Sequence, residues 1–423
     1  MIKILSFIDK IPPFIIRCVE FFCALVSFQF LHGLASIVGS LAYYLSPKQR
    51  KRVMNNLAIA TDLSLTEAEM KSVAKGAFQN LYITTFDYFK LRISQSAVET
   101  LVRAENIEAV ENLQKKGQGV ILVGAHQANW EIPFIISSTT MQSVCIGGSF
   151  FADWLSVWIN SLRTMSGGTV ISPENAVVMG MKALRQGKLV GSAMDQALPE
   201  GSHSLNFLGA RAWCTMTPAL WSYRTGCPLV VTTTRRVKNG SGSPYITHFS
   251  EPIWPETQAP FRPELRRLTQ TATQILEKSI LERPEQYLWH HHRWRQDVPG
   301  KVATQFQHDF ILVILPEDPL ACEAIITGLS VLEILYPRGF ITLMKPANVP
   351  CATTFEVRPY DCRQDILIRD WRFQMVINFY GDSSLGDHFL RLGAFEVLDV
   401  TCQKSPKSLR DQDIASLLKQ HLT

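Results

Sequence analysis

The chain has 423 residues, of which 46% are hydrophobic and 19% are charged, and this composition excludes a polytopic membrane protein. Its length predicts two or three folded units at about 150 residues each. The formal charge of +5 is uneven, because residues 1–304 carry 31 Lys and Arg against 22 Asp and Glu, whereas residues 305–423 carry 11 against 15.

The charge and cysteine patterns indicate which classes of partner the protein binds and in which cellular compartment it lies. The basic part of the chain suits anionic lipid headgroups or an acidic carrier protein. No long basic run has interleaved aromatic residues, so nucleic acid is not an expected partner. The nine cysteines include no CxxC pair, which is typical of reduced thiols in a cytoplasmic compartment.

The first predicted element is a membrane anchor. Residues 21–45 contain no formally charged side chain, and about 20 apolar residues suffice for a helix to cross a bilayer. Gln29, His32 and two glycines interrupt this stretch, which favours a shallow hairpin or a tilted anchor, with a single span as the alternative. A basic cluster places the following end on the cytoplasmic side. The cluster consists of Lys48, Arg50, Lys51 and Arg52.

Apolar runs then alternate with helical stretches. Residues 65–91 have the apolar spacing of a helix, and residues 265–281 have the pattern of a closing helix. Strands separated by helical patterns predict an α/β sandwich with a largely parallel sheet. The predicted strands are 120–123, 144–146, 189–193 and 229–234. We therefore assign residues 1–60 to the anchor and basic segment and residues 61–300 to this α/β domain.

The segment from Gly119 to Glu131, GVILVGAHQANWE, carries the candidate chemistry. Its apolar strand is predicted to end at Gly124, with His126 in the turn before a helix. Five positions correspond to about 140° around an ideal helix, so His126 and Glu131 can pair only if His126 lies in the turn. There the helix N-terminus would keep the imidazole neutral as a base, while Glu131 holds its other nitrogen. A His–Trp pair packed at a strand–helix corner is the structural alternative.

Several segments, in order, resemble one protein family. Residues 124–131, GAHQANWE, resemble the H-x4-D/E block of the lysophospholipid acyltransferase superfamily. They are most similar to the late acyltransferases of lipid A biosynthesis, which add lauroyl or myristoyl chains. This chain departs from the family at Ala128, where Gly is usual, and at His292, where Arg is usual. The further matching blocks are 161–171, 191–196, 206–212, 215–218, 224–230 and 284–295.

The resemblance implies fatty acyl transfer from acyl carrier protein, or from acyl-CoA, to a hydroxyl of a lipid A precursor. The reaction would take place at the cytoplasmic face of the bacterial inner membrane. His126 would deprotonate the acceptor hydroxyl for direct attack on the thioester, and Glu131 would orient His126 and stabilise its protonated form. Two alternatives stay open: an acyltransferase acting on another glycolipid or lysophospholipid, and a catalytically silent scaffold that binds lipid or carrier protein.

The resemblance also implies substrate-binding residues. Arg163 would offset negative charge on acceptor phosphates or on the developing oxyanion. Asp195 and Gln196 lie at a strand end and would shape the same site, and Arg293 is a candidate for a phosphate or carboxylate. No cofactor or metal is expected, because the three consecutive histidines 290–292 cannot all face one ion from a regular element.

Residues 305–423 lie outside the acyltransferase pattern and begin after a predicted boundary at residues 297–300. A strand at 310–315, a helix at 319–335 and strands at 340–344 and 374–378 give a βαβ order, which predicts a Rossmann-like half-domain. Residues 335–343 resemble the N-terminal half of heptosyltransferase-like enzymes. Because the sugar-nucleotide half has no counterpart here, we expect a docking or stabilising module rather than a glycosyltransferase.

Overall fold

The computed structural model is mixed α/β, as the sequence predicts, with two parallel-rich sheets. It describes residues 13–93, 97–147, 153–196, 202–237, 243–296 and 308–400.

The described part of the chain begins with four helices. They are α1 (Pro13–Leu25), α2 (Phe28–Leu45), α3 (Pro47–Ile59) and α4 (Glu67–Ile93). The charge-free stretch thus forms parts of two helices separated at residues 26–27, and the favoured hairpin or tilted anchor stays a prediction. Within the described ranges, no helix is both long enough and apolar enough to cross a membrane.

Helix α2 packs closely on α4 through one face. Its buried residues recur every four positions, at Leu31, Ala35, Gly39 and Tyr43, which places them on one side of the helix. A side chain at position 39 would meet backbone, since an added Cβ would lie 2.6 Å from the Cα of Gln79. Glycine therefore permits the close approach of the two helices.

The opposite faces of α1 and α2 are apolar and exposed. This exposure is unusual for a contiguous set of large hydrophobic side chains and marks an interaction surface. We call it the apolar hairpin face. It consists of Phe14, Ile15, Phe21, Phe22 and Leu25 on α1 and Phe30, Ile37, Leu41, Tyr44 and Leu45 on α2.

The first sheet has seven strands in the order β1-β9-β8-β2-β5-β3-β4, and all pairs are parallel except β8 with β9. The strands are β1 (Val102–Glu105), β2 (Val120–Gly124), β3 (Ser143–Ile146), β4 (Thr169–Ile171), β5 (Leu189–Ala193), β8 (Leu229–Arg236) and β9 (Tyr245–Phe249). The central strands are nearly continuous apolar runs because helices cover both faces of the sheet. The four predicted strands of this region are confirmed.

Seven further helices and one hairpin complete this part of the chain. The helices are α5 (Ala97–Leu101), α6 (Ile107–Lys115), α7 (Ile132–Thr140), α8 (Asp153–Met165), α9 (Ala176–Arg185), α10 (Thr217–Thr225) and α11 (Phe261–Glu282). Strands β6 (Ser202–Phe207) and β7 (Ala210–Thr215) pair with each other as an antiparallel hairpin outside the main sheet. The sequence analysis did not predict this hairpin.

The second sheet is entirely parallel, in the order β12-β11-β10-β13-β14. Numbered along the chain, this order is 3-2-1-4-5, which matches five of the six strands of the Rossmann order. The predicted βαβ architecture is confirmed, and the sheet is larger than the predicted half. The predicted helix 319–335 is divided in two at Leu329. The elements are β10 (Phe310–Ile314), α12 (Pro319–Gly328), α13 (Ser330–Leu335), β11 (Phe340–Pro346), β12 (Glu356–Tyr360), α14 (Arg363–Ile366), β13 (Met375–Asn378), α15 (Ser383–Arg391) and β14 (Glu396–Asp399).

Helix α3 contacts the C-terminal unit, which is the part of the chain that contains the second sheet. The buried amide of Asn55 donates to the carbonyl oxygen of Trp371 and, at 3.3 Å, to that of Gly393. Arg369 and Glu67 form an ion pair at 2.7 Å across the same contact. The boundary predicted at residues 297–300 lies outside the described residues, so the domain limits stay a prediction.

Two cations of the basic cluster at residues 48–52 take part in this contact. Lys51 Nζ donates to the carbonyl oxygens of Leu390 at 2.7 Å and Ala394 at 2.6 Å. The guanidinium of Arg52 lies over the ring of Phe395, 5.9 Å from its centre. Half of the basic cluster is thereby directed at backbone and aromatic groups of the C-terminal unit.

Candidate functional site

The site centres on His126, in the loop that joins β2 to α7 (residues 125–131, the β2–α7 loop). Strands β2 and β5 are parallel neighbours, with Gly124 opposite Ala193. The residues two positions beyond these strand ends, His126 and Asp195, therefore emerge side by side at the carboxyl edge of the sheet. His126 Nδ1 lies 2.7 Å from Asp195 Oδ1, and the backbone amide of His126 donates to Asp195 Oδ2 at 2.8 Å.

This double contact fixes the imidazole and its proton. A carboxylate accepts but cannot donate, so the proton of the neutral ring resides on Nδ1 and the Nε2 lone pair is left for an acid–base reaction. Asp195 is 1% exposed at its side chain and His126 is 17% exposed. Among the residues that the structure describes, none lies within hydrogen-bonding distance of Nε2. His126 thus has the geometry of a positioned general base.

Charge sets the ionisation of the pair. Burial disfavours an imidazolium, but the Asp195 carboxylate outweighs this effect and raises the pKa of His126 above its ordinary value. Burial would likewise raise the pKa of Asp195, yet the adjacent His126 ring and amide hold it well below its usual range. Asp195 therefore stays ionised and stabilises the protonated form of His126. Helix α7, whose N-terminus was expected to favour the neutral form of His126, begins only at Ile132.

Glu131 does not occupy the position predicted for it. The sequence analysis placed Glu131 on the second nitrogen of His126, but the structure places Asp195 there. The reason is local: the β2–α7 loop is not helical, Ala128 has a left-handed φ of 50°, and Glu131 is the N-cap residue of α7. The predicted pairing required Glu131 to lie one turn inside the helix, but Glu131 precedes the first helical residue, and Asp195 makes the orienting contact instead.

Glu131 instead forms a two-pronged ion pair with Arg163, in the last turn of α8. Arg163 Nη2 donates to Glu131 Oε1 at 2.6 Å and Nε donates to Oε2 at 2.8 Å. Burial would lower the pKa of Arg163, but Glu131 raises it above its usual value. Arg163 is predicted from the sequence to offset substrate charge, yet its own charge is already balanced by Glu131. The pair braces the end of the β2–α7 loop against α8.

Arg293 and Gln196 lie in different surroundings. Arg293 is fully buried, donates to the carbonyl oxygen of Trp213 at 2.8 Å and to Cys214 Sγ at 3.0 Å, and lies over the ring of Phe207. The predicted anion contact of Arg293 is therefore wrong in this structure, because the guanidinium packs inside the fold. Gln196 is exposed at the end of β5, next to Asp195.

The block at residues 284–295 closes over the β2–α7 loop. The amide of Leu288 donates to the carbonyl oxygen of His126 at 2.9 Å, and the amide of Ala128 donates to that of Gln286 at 2.7 Å. His291 lies beside the pair, with Nε2 3.3 Å from the carbonyl oxygen of Asp195, and burial lowers the pKa of His291 to about 4. His291 is a neutral neighbour of His126 that the sequence analysis did not assign to the site.

The three consecutive histidines diverge. His290 packs edge-on against Phe78, with ring centres 4.5 Å apart, whereas His291 faces His126 with ring centres 5.8 Å apart. Burial lowers the pKa of His290 and of His292 to about 3. Within the described ranges, no group of three or more His, Cys, Asp or Glu side chains is arranged around a common point for a metal.

Comparison with known proteins places these residues in a family. The profile of the family "Bacterial lipid A biosynthesis acyltransferase" matches residues 11–296. The lipid A biosynthesis lauroyltransferase of Escherichia coli strain K12 is 26% identical over 201 residues, which are 46% of this chain and 62% of that protein. The alignment thus spans less than two thirds of the relative. Because the family match extends over more than half of the 423 residues and includes the whole site around His126, the chain belongs to the bacterial lipid A biosynthesis acyltransferase family.

Proposed function

We propose that this protein transfers a fatty acyl chain from the thioester of acyl carrier protein to a hydroxyl of a lipid A precursor. The observation that carries the proposal is the contact between His126 Nδ1 and Asp195, at 2.7 Å, in a chain of this family. That contact leaves Nε2 as a proton acceptor at the open edge of the sheet.

The proposed reaction needs only one base and no nucleophile on the protein. His126 Nε2 removes the proton from the acceptor hydroxyl, whose oxygen attacks the thioester carbonyl. The tetrahedral intermediate then collapses, the carbon–sulfur bond breaks, and the leaving thiolate takes the proton from His126. Asp195 stabilises the imidazolium between these two transfers, as the orienting carboxylate does in serine hydrolases.

An acidic carrier protein is the proposed donor because the acyltransferase part of the chain is basic. Residues 1–304 carry 31 cationic against 22 acidic side chains. Complementary charge speeds encounter and selects partners. Acyl-CoA, whose recognition needs a smaller surface, is the alternative donor. The two donors are distinguished by measuring kcat/KM of the purified protein with acyl carrier protein and with CoA, each carrying the same acyl chain. A kcat/KM more than tenfold higher with acyl-CoA would overturn the proposed donor.

Residence on the cytoplasmic face of the inner membrane is the proposed location. The apolar hairpin face offers ten exposed large hydrophobic side chains on two short helices, a surface suited to insertion at the lipid interface rather than to crossing it. Recovery of the full-length protein in the soluble fraction without detergent would contradict this location. Replacement of Phe21 and Phe22 by Ser should shift the protein toward that fraction.

The proposed reaction is tested by mass spectrometry of lipid A. Cells that lack the gene should accumulate lipid A one acyl chain short, and wild-type protein should restore the mass while His126→Ala should not. His248→Ala, which alters an exposed histidine on β9, is the matched control and should restore it. Unchanged lipid A in the deletion strain, with changed phospholipids or other glycolipids, would favour another acceptor. No lipid change at all would favour the silent scaffold.

A further inference from the structure

One face of helix α4 holds the β2–α7 loop. Asn80, Thr84 and Asp87 are spaced four and three positions apart, which places them on one side of the helix, and each is at most 1% exposed. Thr84 Oγ1 donates to the carbonyl oxygen of Ala128 at 2.8 Å, and the amide of Asn80 donates to the same oxygen at 3.3 Å. The side-chain amide of Asn129 donates to Asp87 Oδ2 at 3.3 Å.

Asp87 is the centre of this arrangement. Its carboxylate is fully buried and accepts from three separate elements. His32 Nε2, on helix α2, lies 2.8 Å from Oδ1, and the hydroxyl of Tyr245, on β9, donates to Oδ2 at 2.7 Å. A buried carboxylate is costly unless donors surround it. Here the donors come from helix α2, strand β9 and the β2–α7 loop, so the carboxylate ties all three together.

The loop needs such support because its own conformation is unfavourable. Ala128 has a left-handed φ of 50°, a region that non-glycine residues avoid. Asn129 lies three residues after His126 and two before Glu131, so any movement of Asn129 shifts both. A displacement of about 1 Å at a reacting group can cost on the order of 10²-fold in rate.

We propose that Asp87 is a positioning residue that couples the seating of the membrane hairpin, through His32, to the placement of His126 through Asn129. This inference rests on the proposed function. The residues link directly. His32 lies on helix α2, which also carries half of the apolar hairpin face, and His32 reaches the β2–α7 loop through the Asp87 carboxylate. Insertion of the hairpin into lipid thereby stabilises the loop geometry that proton transfer requires.

The first test measures steady-state kinetics on a lipid surface. Asp87→Asn and His32→Leu should each lower kcat by ~10- to 100-fold, with the KM for the acceptor changed less than about twofold. The acid limb of the pH–rate profile should stay in place, because Asp195 still sets the pKa of His126. Gln79→Ala is the matched control: it removes another hydrogen bond between α4 and α2, from Gln79 to Ser40 at 2.9 Å, without reaching the loop. Its kcat should be unchanged.

A double-mutant cycle tests the coupling itself. Among the described residues, His32 and Asn129 both bond the Asp87 carboxylate and form no hydrogen bond with each other. His32→Leu combined with Asn129→Ala should therefore be no slower than the slower of the two single variants. Fully multiplicative losses would mean independent effects and would overturn the coupling. If His32→Leu fails to fold, Tyr245→Phe replaces it in the cycle, because that change removes only a hydroxyl.

Hydrogen exchange separates this inference from the proposed function. The amide of Ala128 should exchange ~10-fold faster or more in Asp87→Asn and His32→Leu than in wild type and Gln79→Ala, when global stability is matched by temperature. Unchanged exchange there would overturn the positioning role even in an active enzyme. Failure of wild-type protein to transfer acyl groups would instead overturn the proposed function, while the exchange measurement would still test the link.

Discussion

His126 and Asp195 meet because they lie two residues beyond the ends of neighbouring parallel strands, with Nδ1 and Oδ1 2.7 Å apart. The carboxyl edge of a parallel sheet is where α/β proteins commonly form their sites. The contact gives each residue a separate task. In the proposed reaction Asp195 stays negatively charged, and His126 exchanges a proton through its free nitrogen.

Replacing Asp195 by Asn should lower kcat/KM by ~10²–10⁴-fold, the usual contribution of a positioned general base and its orienting group. In wild type the acid limb of the pH–kcat/KM profile should lie above about pH 6.5, the ordinary pKa of histidine, because the carboxylate raises the pKa of His126. Without that charge, burial is the largest remaining effect on the pKa of His126, so the limb should move to lower pH.

The double variant provides the check on this pair. His126→Ala with Asp195→Asn should be little worse than His126→Ala alone, since the two residues act as a unit. Losses that multiply, or an acid limb that stays in place in Asp195→Asn, would show that Asp195 does not set the ionisation of His126.

A second prediction concerns Glu131 and Arg163. Their side chains are 5% and 13% exposed, so removal of one partner leaves a largely buried charge. Glu131→Gln and Arg163→Met should each destabilise the fold by about 3–5 kcal/mol, and the double variant should recover most of that loss. Denaturant unfolding of the four proteins measures the cycle. Additive destabilisation would contradict the ion pair.

Turnover of the same four proteins then separates two roles for Glu131. If the double variant recovers both turnover and stability, the ion pair has only a structural role, which is to hold the β2–α7 loop in place. Activity that stays at the level of the single variants, in a protein with recovered stability, would give Glu131 or Arg163 a direct part in the chemistry.

The sheet and the position of His126 could be predicted from the sequence because both depend on local patterns. Apolar runs of four or five residues between helical stretches locate β2 and β5, and a polar residue just beyond a strand end marks the site. The same logic extends to Asp195, which also follows a strand end. Two parallel strands that are neighbours in a sheet bring such residues together. The pairing of β2 with β5 was therefore the signal that could have identified Asp195 as the partner of His126.

The partner of Glu131 and the burial of Arg293 could not be predicted in this way. Glu131 meets Arg163 from α8, which is 32 positions away, and that contact depends on the left-handed turn at Ala128. Arg293 is buried by the β6–β7 hairpin, which pairs outside the main sheet. Charged residues are rarely buried, so the residue type alone predicts a solvent-exposed position for Arg293 and not the buried one that it has.

Position 128 should tolerate glycine but not a branched side chain. A left-handed conformation costs a non-glycine residue roughly 1–2 kcal/mol of stability, and Ala128→Gly removes this cost. The same change lowers stability by about 0.4–1 kcal/mol, because glycine gives the unfolded chain more conformational freedom. It lowers stability by about 0.8 kcal/mol more, because a buried methyl group is lost. Ala128→Gly should therefore lie within about 1 kcal/mol of wild type. Ala128→Val should be destabilised by about 2–4 kcal/mol, because the site is fully buried. Equal stability of Val and Ala proteins in denaturant would contradict the left-handed turn.

The C-terminal unit provides the last prediction. Truncation after Thr304 should leave acyl transfer chemistry within about tenfold of wild type, because His126, Asp195, Glu131 and Arg163 all precede it and domains bury their own cores. Stability should fall, since Asn55 and Lys51 exchange their carbonyl acceptors for water; a hydrogen bond contributes a net ~0.5–1.5 kcal/mol, and one from a charged group about 1.5–3 kcal/mol. Full-length Lys51→Met, which loses the contact but keeps the unit, should show a smaller fall in melting temperature and normal turnover. If the truncated protein folds but has no turnover, the C-terminal unit is part of the active enzyme. If the full-length protein binds a sugar nucleotide tightly, that unit has a function of its own.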